Sequence, residues 1–258
     1  MLDKIKQTEQ AYFNCFCITE SHDSVTRYTD NNIKDMYSHN FSYFHDDVSD
    51  DQFLTAIKRE LAHRKSEGKT YLKVLTHFPV TDALVNQMLI RPDIETYNYY
   101  GLNTDVFNTI KRRDLAQLKR ADTPLVVEHG RMIDVCANYS FMTMEFAIRR
   151  IDRKFMVYSN ADIPLNLYVC YENTEPVGNC ELFLNENIAK IEDFDILDMH
   201  QKKGFGSFVL SKLLETSHNE NADFAYLVTD HEDTAKSMYE KCGFNHIGQR
   251  TELMFHLK

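Results

Sequence analysis

A short glycine-containing segment, Gln201–Ser207, constrains the fold of this chain more than any other feature. It reads Gln-Lys-Lys-Gly-Phe-Gly-Ser and lies between a strand-like apolar run, Ile188–Leu197, and a helical pattern. Glycines let a backbone approach a ligand closely, and the first N–H groups of a helix are unpaired donors at the positive end of its dipole. Because two lysines stand beside these donors, the segment is predicted to hold a phosphate group of a cofactor.

The surrounding sequence predicts an α/β domain. Strands are predicted at Leu165–Tyr171, Val177–Leu184, Ile188–Leu197, Phe224–Thr229 and Phe244–Lys258, and helices at about Phe141–Phe155, after the glycine segment and at Thr234–Cys242. The first two strands are joined by a polar turn and should form an antiparallel hairpin. A strand, a helix and another strand imply a parallel pair with a right-handed crossover. The glycine segment then lies at the carboxyl end of a parallel strand, where open sheets bind ligands.

The run Ile188–Leu197 changes its pattern part-way along. Ala189 and Ile191 are apolar at odd positions, whereas Phe194 and Ile196 are apolar at even positions. An extra residue at Glu192-Asp193 would keep all four on one face, so a β-bulge is predicted there. The alternative is a strand buried on both faces, in which parity carries no information.

These features resemble the GNAT superfamily of N-acetyltransferases. The family signature, Gln/Arg-x-x-Gly-x-Gly/Ala between a bulged strand and a helix, is matched by Gln201, Gly204 and Gly206. The segment Ala235–Phe244 is similar to the family ending A-x-x-x-Y-x-x-x-G-F, and Val177-Gly178 to its third strand. The resemblance implies an α/β (α+β) fold with a mixed, mostly antiparallel sheet, a splayed parallel strand pair and flanking helices.

The resemblance also implies a function and a set of site residues. The implied reaction is direct transfer of an acetyl group from acetyl-CoA to a primary amine of a small molecule or a protein. The implied cofactor-binding residues are Lys202, Lys203, Gly204, Phe205, Gly206 and Ser207 for the pyrophosphate, and the backbone of Phe194, Asp195 and Ile196 for the pantetheine arm and the developing oxyanion. The alternative is a catalytically inactive acyl-CoA-binding sensor or partner-binding module.

Two side chains carry the implied acid–base chemistry. Glu192 is implied as the base that takes the proton of the amine, with Asp193 as the alternative, and Tyr239 as the acid that protonates the leaving sulfur. Both carboxylates are equally compatible with solvated positions on an irregular strand. Tyr239 could be a core tyrosine, but its place in the motif favours the functional role. The chain departs from the family at Glu232, where an asparagine is common, which puts one cofactor hydrogen bond in doubt.

The first half of the chain is predicted to be a smaller mixed α/β domain. A capping box at Ser49–Gln52 begins a helix that Gly68 ends, a strand follows at Tyr71–Phe78, and a second helix is predicted at Thr104–Arg120. We expect residues 1–110 to form a diverged companion domain, in one interpretation a degenerate GNAT-like copy, and residues 111–258 to form the GNAT-like catalytic domain. The companion would shape the acceptor pocket or mediate a homodimer.

Composition narrows the expected partners and location. The formal net charge of −10 argues against a nucleic-acid partner and suits an amine substrate, and no apolar run is long enough to span a membrane. Cysteines without CxxC spacing indicate a reducing, cytoplasmic location. Cys15 and Cys17 are predicted at alternating strand positions rather than as a metal pair, so no bound metal is expected.

Overall fold

The computed structural model describes residues 1–110, 116–230 and 235–257, which group into two compact units. The first unit consists of Met1–Cys15, Tyr99–Thr229 and residues 235–247. The second unit consists mainly of Phe16–Asn98 and residues 248–257. Each unit takes segments from both halves of the sequence. The predicted division after residue 110 stays a prediction, and residue 111 lies outside the described ranges.

The described helices and strands alternate along the chain. The helices are α1 (Leu2–Asn14), α2 (Asp50–Ser66), α3 (Asp82–Val85), α4 (Pro124–Asn138), α5 (Met144–Tyr158), α6 (Phe205–Asn219) and α7 (Lys236–Lys241). The strands are β1 (Ile18–His22), β2 (Val25–Thr29), β3 (Phe41–Phe44), β4 (Tyr71–Thr76), β5 (Asp93–Asn103), β6 (Ala116–Arg120), β7 (Leu165–Glu172), β8 (Glu175–Asn185), β9 (Ile188–Ile196), β10 (Phe224–Asp230) and β11 (Asn245–His256). Within the described ranges, none of these helices combines the length and the apolarity that crossing a membrane requires.

The first unit has the predicted mixed, mostly antiparallel sheet. Its strands lie in the order β5-β10-β9-β8-β7-β6, with β6 to β9 antiparallel and β9 parallel to β10. Helix α6 crosses between the parallel strands and buries an apolar stripe, which consists of Val209, Leu210, Leu213 and Leu214. The predicted fold class is therefore confirmed, as is the β7–β8 hairpin.

The helix predicted at Thr104–Arg120 is wrong. Thr104–Thr109 forms a short 3-10 segment, and Ala116–Arg120 is the strand β6, which pairs antiparallel with β7. The segment forms a strand because the edge of β7 supplies backbone hydrogen-bond partners, and these outweigh a weak helical pattern. Ala116 and Leu118 of this strand are partly buried against the core. Residues 111–115 of the predicted helix lie outside the described residues.

Pro124 is the first residue of α4, where its missing N–H costs nothing. One further local prediction is corrected. Cys15 and Cys17 lie in the turn between α1 and β1 rather than on a strand, because α1 extends to Asn14.

The second unit repeats the pattern of three antiparallel strands, a helix and a parallel strand. Strands β1, β2 and β3 form a meander, α2 follows, β4 lies parallel to β3, and β11 pairs antiparallel with β4. The predicted capping box is confirmed, since Ser49 N donates to Gln52 Oε1 over 2.9 Å and Gln52 N donates to Ser49 Oγ over 3.4 Å. Gly68, with φ of 68°, lies just beyond the end of the helix as predicted.

Candidate active site

The parallel strands β9 and β10 separate where the bulge was predicted. Their ladder runs from Ile188 opposite Phe224 to Ile191 opposite Leu227, and ends there within the described residues. On the other edge of β9, the register with β8 shifts between Asn179 and Glu181, so β9 contains one extra residue. The predicted bulge is confirmed, and Asp193 within it adopts a left-handed conformation, with φ of 46°.

The glycine segment begins helix α6 beside this opening. Gly204 is the N-cap residue, with φ of 90°, and a Cβ built on it meets nothing within 4 Å. A Cβ on Gly206 would lie 2.4 Å from Met238 Sδ and 3.8 Å from Phe194 Cζ. Gly206 is therefore needed for close packing among α6, α7 and β9, whereas Gly204 supplies the turn and leaves open space in front of the helix.

Gln201 has a structural role that its place in the signature does not reveal. Its Nε2 donates to the Ile196 carbonyl oxygen and to Asp198 Oδ1, each over 3.0 Å. The side chain thereby ties the glycine segment to the end of β9.

The two faces of β9 separate the site residues predicted from the sequence. Phe194 and Ile196 pack against the core cluster that contains Phe205 and Tyr239. Glu192 faces the opposite side, where Lys190 Nζ lies 2.8 Å from Glu192 Oε2. The structure thus brings Tyr239 and the glycine segment to one core cluster, and the carboxylates of the bulge to the other face.

Glu192 is half-buried in a chain of polar contacts. Its partner Lys190 also lies 2.6 Å from Glu9 of α1, and Glu9 accepts a hydrogen bond of 2.7 Å from the Tyr226 hydroxyl. Burial raises the pKa of Glu192, Lys190 opposes this, and Glu9 and Asp193 raise the pKa further. A carboxyl group with a raised pKa suits the exchange of protons near neutral pH.

Asp193 is engaged by two cations of α5 that the sequence did not single out. Its Oδ2 contacts Arg150 Nη2 and Lys154 Nζ. Lys154 Nζ also lies 2.5 Å from Glu181 Oε1, and Arg150 Nη1 binds both carboxylate oxygens of Asp134 at 2.8 and 2.9 Å. The signal in the sequence is a pair of basic residues four apart on the same helical face as buried Ala147, Ile151 and Phe155.

Tyr239 is buried on α7. Its ring packs at a tilt against Phe244, with 6.2 Å between the ring centroids. Gly206 lies directly beside Met238, the neighbour of Tyr239. The tyrosine is thus next to the start of α6, as the motif implies, and it also has a packing role. Glu232 lies outside the described residues.

Comparison with known proteins agrees with this geometry. Residues 139–244 match the model of the acetyltransferase (GNAT) family. The C-terminal half of this chain carries a GNAT domain. The chain is also 26% identical over 264 residues to the uncharacterized N-acetyltransferase CgeE of Bacillus subtilis (strain 168), covering 99% of this chain and 98% of that protein.

Solved structures extend the likeness in fold beyond the GNAT domain. A conserved protein of unknown function from Staphylococcus epidermidis ATCC 12228 superposes with a TM-score of 0.77 at 17% identity, covering 94% of this chain and 95% of that chain. A GCN5-related N-acetyltransferase from Kribbella flavida has a TM-score of 0.73 at 9% identity, covering 98% and 94%. The N-terminal half therefore also resembles GNAT structures in fold.

The GNAT domain has the features that a coenzyme A group requires. The open space in front of Gly204 is a cradle that a side chain there would fill. The first N–H groups of α6 lie beside it, at the positive end of the helix dipole. The edge of β9 beyond Ile191 is separated from β10 and can pair with an extended arm.

Proposed function

We propose that this protein transfers an acetyl group from acetyl-CoA to a primary amine of a small molecule or a protein. The observation that carries the proposal is the separation of β9 from β10 directly beside the glycine turn at the start of α6. An extended cofactor with a phosphate group needs these two features next to each other. The proposed contacts to the phosphates are the backbone N–H groups of Gly204–Ser207 and the charges of Lys202 and Lys203.

Acetyl-CoA would supply the activated acetyl thioester, and the protein would position the reactants. The main chain of Phe194–Ile196 is proposed to orient the pantetheine arm and to direct an N–H group at the acetyl oxygen. Helix α6 buries the floor of the site, because Phe205, Phe208 and Val209 are almost wholly enclosed.

Two side chains are proposed to move protons. Glu192 accepts the proton of the amine at its carboxylate, and its raised pKa keeps that carboxylate basic enough to do so. Asp193 is the weaker candidate for this base, because Arg150 and Lys154 already contact it. The Tyr239 hydroxyl holds the proton that the leaving sulfur requires.

The proposal is tested by binding and turnover together. We expect calorimetry to show binding of coenzyme A, and an amine panel to yield acetylated products detectable by mass spectrometry. A panel of diamines, arylalkylamines, amino sugars and lysine peptides covers both acceptor classes. The absence of coenzyme A binding would refute the proposal.

One contact supports the alternative of an acyl-CoA sensor. Lys190 holds the Glu192 carboxylate in an ion pair of 2.8 Å, which reduces its basicity. Tight coenzyme A binding without acetylation of any amine in the panel would favour the sensor. We propose no nucleic-acid partner for either function, since the net charge is −10.

A further inference from the structure

A buried amide oxygen on β8 has no hydrogen-bond donor in the described part of the chain. Asn179 is 1% exposed, and its Nδ2 donates to the Gly130 carbonyl oxygen over 3.3 Å. Because that carbonyl can only accept, the amide nitrogen must face it, and this fixes the direction of Asn179 Oδ1. The oxygen is enclosed and unpartnered among the described residues. An unmatched buried acceptor is costly, so a donor is expected beside it.

The side chain opposite this oxygen is a carboxyl group. Asp195 on β9 is paired with Asn179 in the antiparallel ladder, so the two side chains lie on the same face. Asn138 of α4 donates to Asp195 Oδ2 over 3.4 Å, which leaves the other carboxyl oxygen for a second partner. Only a protonated carboxyl group can donate to an amide oxygen.

The charges around Asp195 favour its protonated form. The charged groups that act on it are Asp134 on α4, Arg150 on α5 and Asp193 on β9. Arg150 is already bound by Asp134 and Asp193. Burial, with Asp193 and Asp134 adding to it, raises the pKa of Asp195 to about 7, while Arg150 and Asn138 oppose the rise.

We propose that Asp195 is a positioning residue that keeps a proton up to near-neutral pH, shares it with Asn179 Oδ1 in a hydrogen bond, and so holds the end of β9 in the conformation that binds coenzyme A. The proposal rests on the proposed function, in which the main chain of Phe194–Ile196 receives the cofactor. Release of the proton to solvent leaves a carboxylate that cannot donate to Asn179 and that faces Asp193 and Asp134.

The main chains of β8 and β9 are packed closely beside Asp195, so they have little space to move when its carboxyl group becomes charged. A Cβ built on Gly178 would lie 2.4 Å from the Asp195 carbonyl oxygen and 2.5 Å from Ile196 Cδ1. Strands β8 and β9 are therefore in close contact here, and repulsion at the Asp195 side chain is transmitted to its own main chain. We expect coenzyme A to bind the protonated form more tightly.

The test is coenzyme A affinity as a function of pH, measured by calorimetry from about pH 5.5 to about pH 8.5. In the wild-type protein, Kd should rise about tenfold across this range, as expected if binding shifts the Asp195 pKa by about one unit. Asp195→Asn should remove most of this rise, because its amide donates to Asn179 Oδ1 at every pH. The matched control, Asp122→Asn, removes an exposed carboxylate and should retain the wild-type profile.

Two results would overturn the proposal: a flat wild-type profile, or an Asp195→Asn profile as steep as that of the wild type. If no coenzyme A binds at any pH, the proposed function fails. The protonation state of Asp195 is then measured separately, by NMR titration of its carboxyl carbon in the wild-type protein. A midpoint near the ordinary value of about 4 would then refute the protonated state. The same titration decides the matter if Asp195→Asn does not fold.

Discussion

At the scale of single residues, the proposed base and acid lie in different surroundings. Glu192 lies among charged groups on one face of β9, and Tyr239 lies in an apolar core cluster on the other. An acid and a base on opposite sides of a strand can both reach a ligand only where that strand is separated from its neighbour. The open edge between β9 and β10 provides such a place.

Glu192→Gln should lower kcat/KM by about 10²–10⁴-fold, the usual contribution of one positioned general base. In the wild-type enzyme, activity should rise with pH through the raised pKa of Glu192, because only the deprotonated carboxylate accepts a proton. The variant should lose this acidic limb and keep its coenzyme A affinity. The control is Glu145→Gln, which changes an exposed carboxylate on α5. An unchanged acidic limb in Glu192→Gln would assign the base elsewhere.

Tyr239→Phe should reduce turnover by about 10²–10⁴-fold while coenzyme A binding is retained, because only the hydroxyl that supplies a proton is removed. The ring contact with Phe244 remains, so unfolding in urea should change by only about 1 kcal/mol. Tyr168→Phe on β7 is the matched control and should leave turnover unchanged. Acetylation at the wild-type rate by Tyr239→Phe would mean that water protonates the sulfur.

At the scale of elements, buried ion pairs tie helix α5 to the sheet. Lys154 contacts Glu181 on β8 and Asp193 on β9, and the Tyr12 hydroxyl of α1 donates to Glu181 over 2.7 Å. Burial alone would lower the pKa of Lys154, but Asp193 and Glu181 raise it above its ordinary value. The lysine is therefore charged, and its positive charge compensates the negative charges of Glu181 and Asp193.

Lys154→Met should destabilise the protein by about 3–5 kcal/mol, because it leaves buried carboxylates without their cation. Urea unfolding followed by circular dichroism measures this loss. Arg149→Met, which changes an exposed residue of the same helix, should alter stability by less than about 0.5 kcal/mol. Equal effects of the two substitutions would show that the buried pairs contribute nothing specific.

Gly206→Ala should destabilise the protein by about 1 kcal/mol, because its methyl group meets Met238 Sδ at 2.4 Å and must displace that side chain. The cost should largely disappear in a Met238→Ala background, where the space is free. A double-mutant cycle in urea unfolding measures this coupling. Additive effects of the two substitutions would contradict the close packing of α6 on α7.

At the scale of the whole molecule, the two units share a topology but differ at the start of the crossover helix. In the GNAT domain, α6 starts at a glycine with an open approach. In the second unit, Ser49 and Gln52 cap α2, and Asp50 and Asp51 occupy its first turn. Capped N–H groups and two carboxylates disfavour a phosphate there.

Aromatic side chains pack together beside the end of β3 in the second unit. Phe44 at the end of β3 packs against Phe53 of α2 with ring centroids 4.8 Å apart, and Phe53 packs against Phe78 at 4.9 Å. Phe44 and Phe53 are fully buried. We therefore propose that the second unit derives from a degenerate GNAT-like domain that has lost its cofactor site.

Calorimetric titration should consequently give one coenzyme A per chain. Gly204→Asp, which places a carboxylate in the cradle of the GNAT domain, should abolish that binding, whereas Asp51→Asn in the second unit should leave it unchanged. Two equivalent sites in the wild-type protein would refute the loss of the N-terminal site.

The sequence alone determined the parts of the fold that rest on local rules. The parity change in β9 predicted the bulge, the glycine segment predicted the start of α6, and Ser49–Gln52 predicted a capped helix. Each of these signals arises within a few residues, from the alternation of side chains along a strand or from backbone donors that need a partner.

Only the tertiary structure decided the features that depend on distant partners. The segment Ala116–Arg120 became a strand because the edge of β7 offered it hydrogen bonds. Arg150 and Lys154 became buried because Asp134, Glu181 and Asp193 surround them. Asn179 was brought opposite Asp195 only by the register of β8 and β9. These outcomes depend on which segments meet in space, and the cost of burying a charge or a backbone group is set by what it meets there.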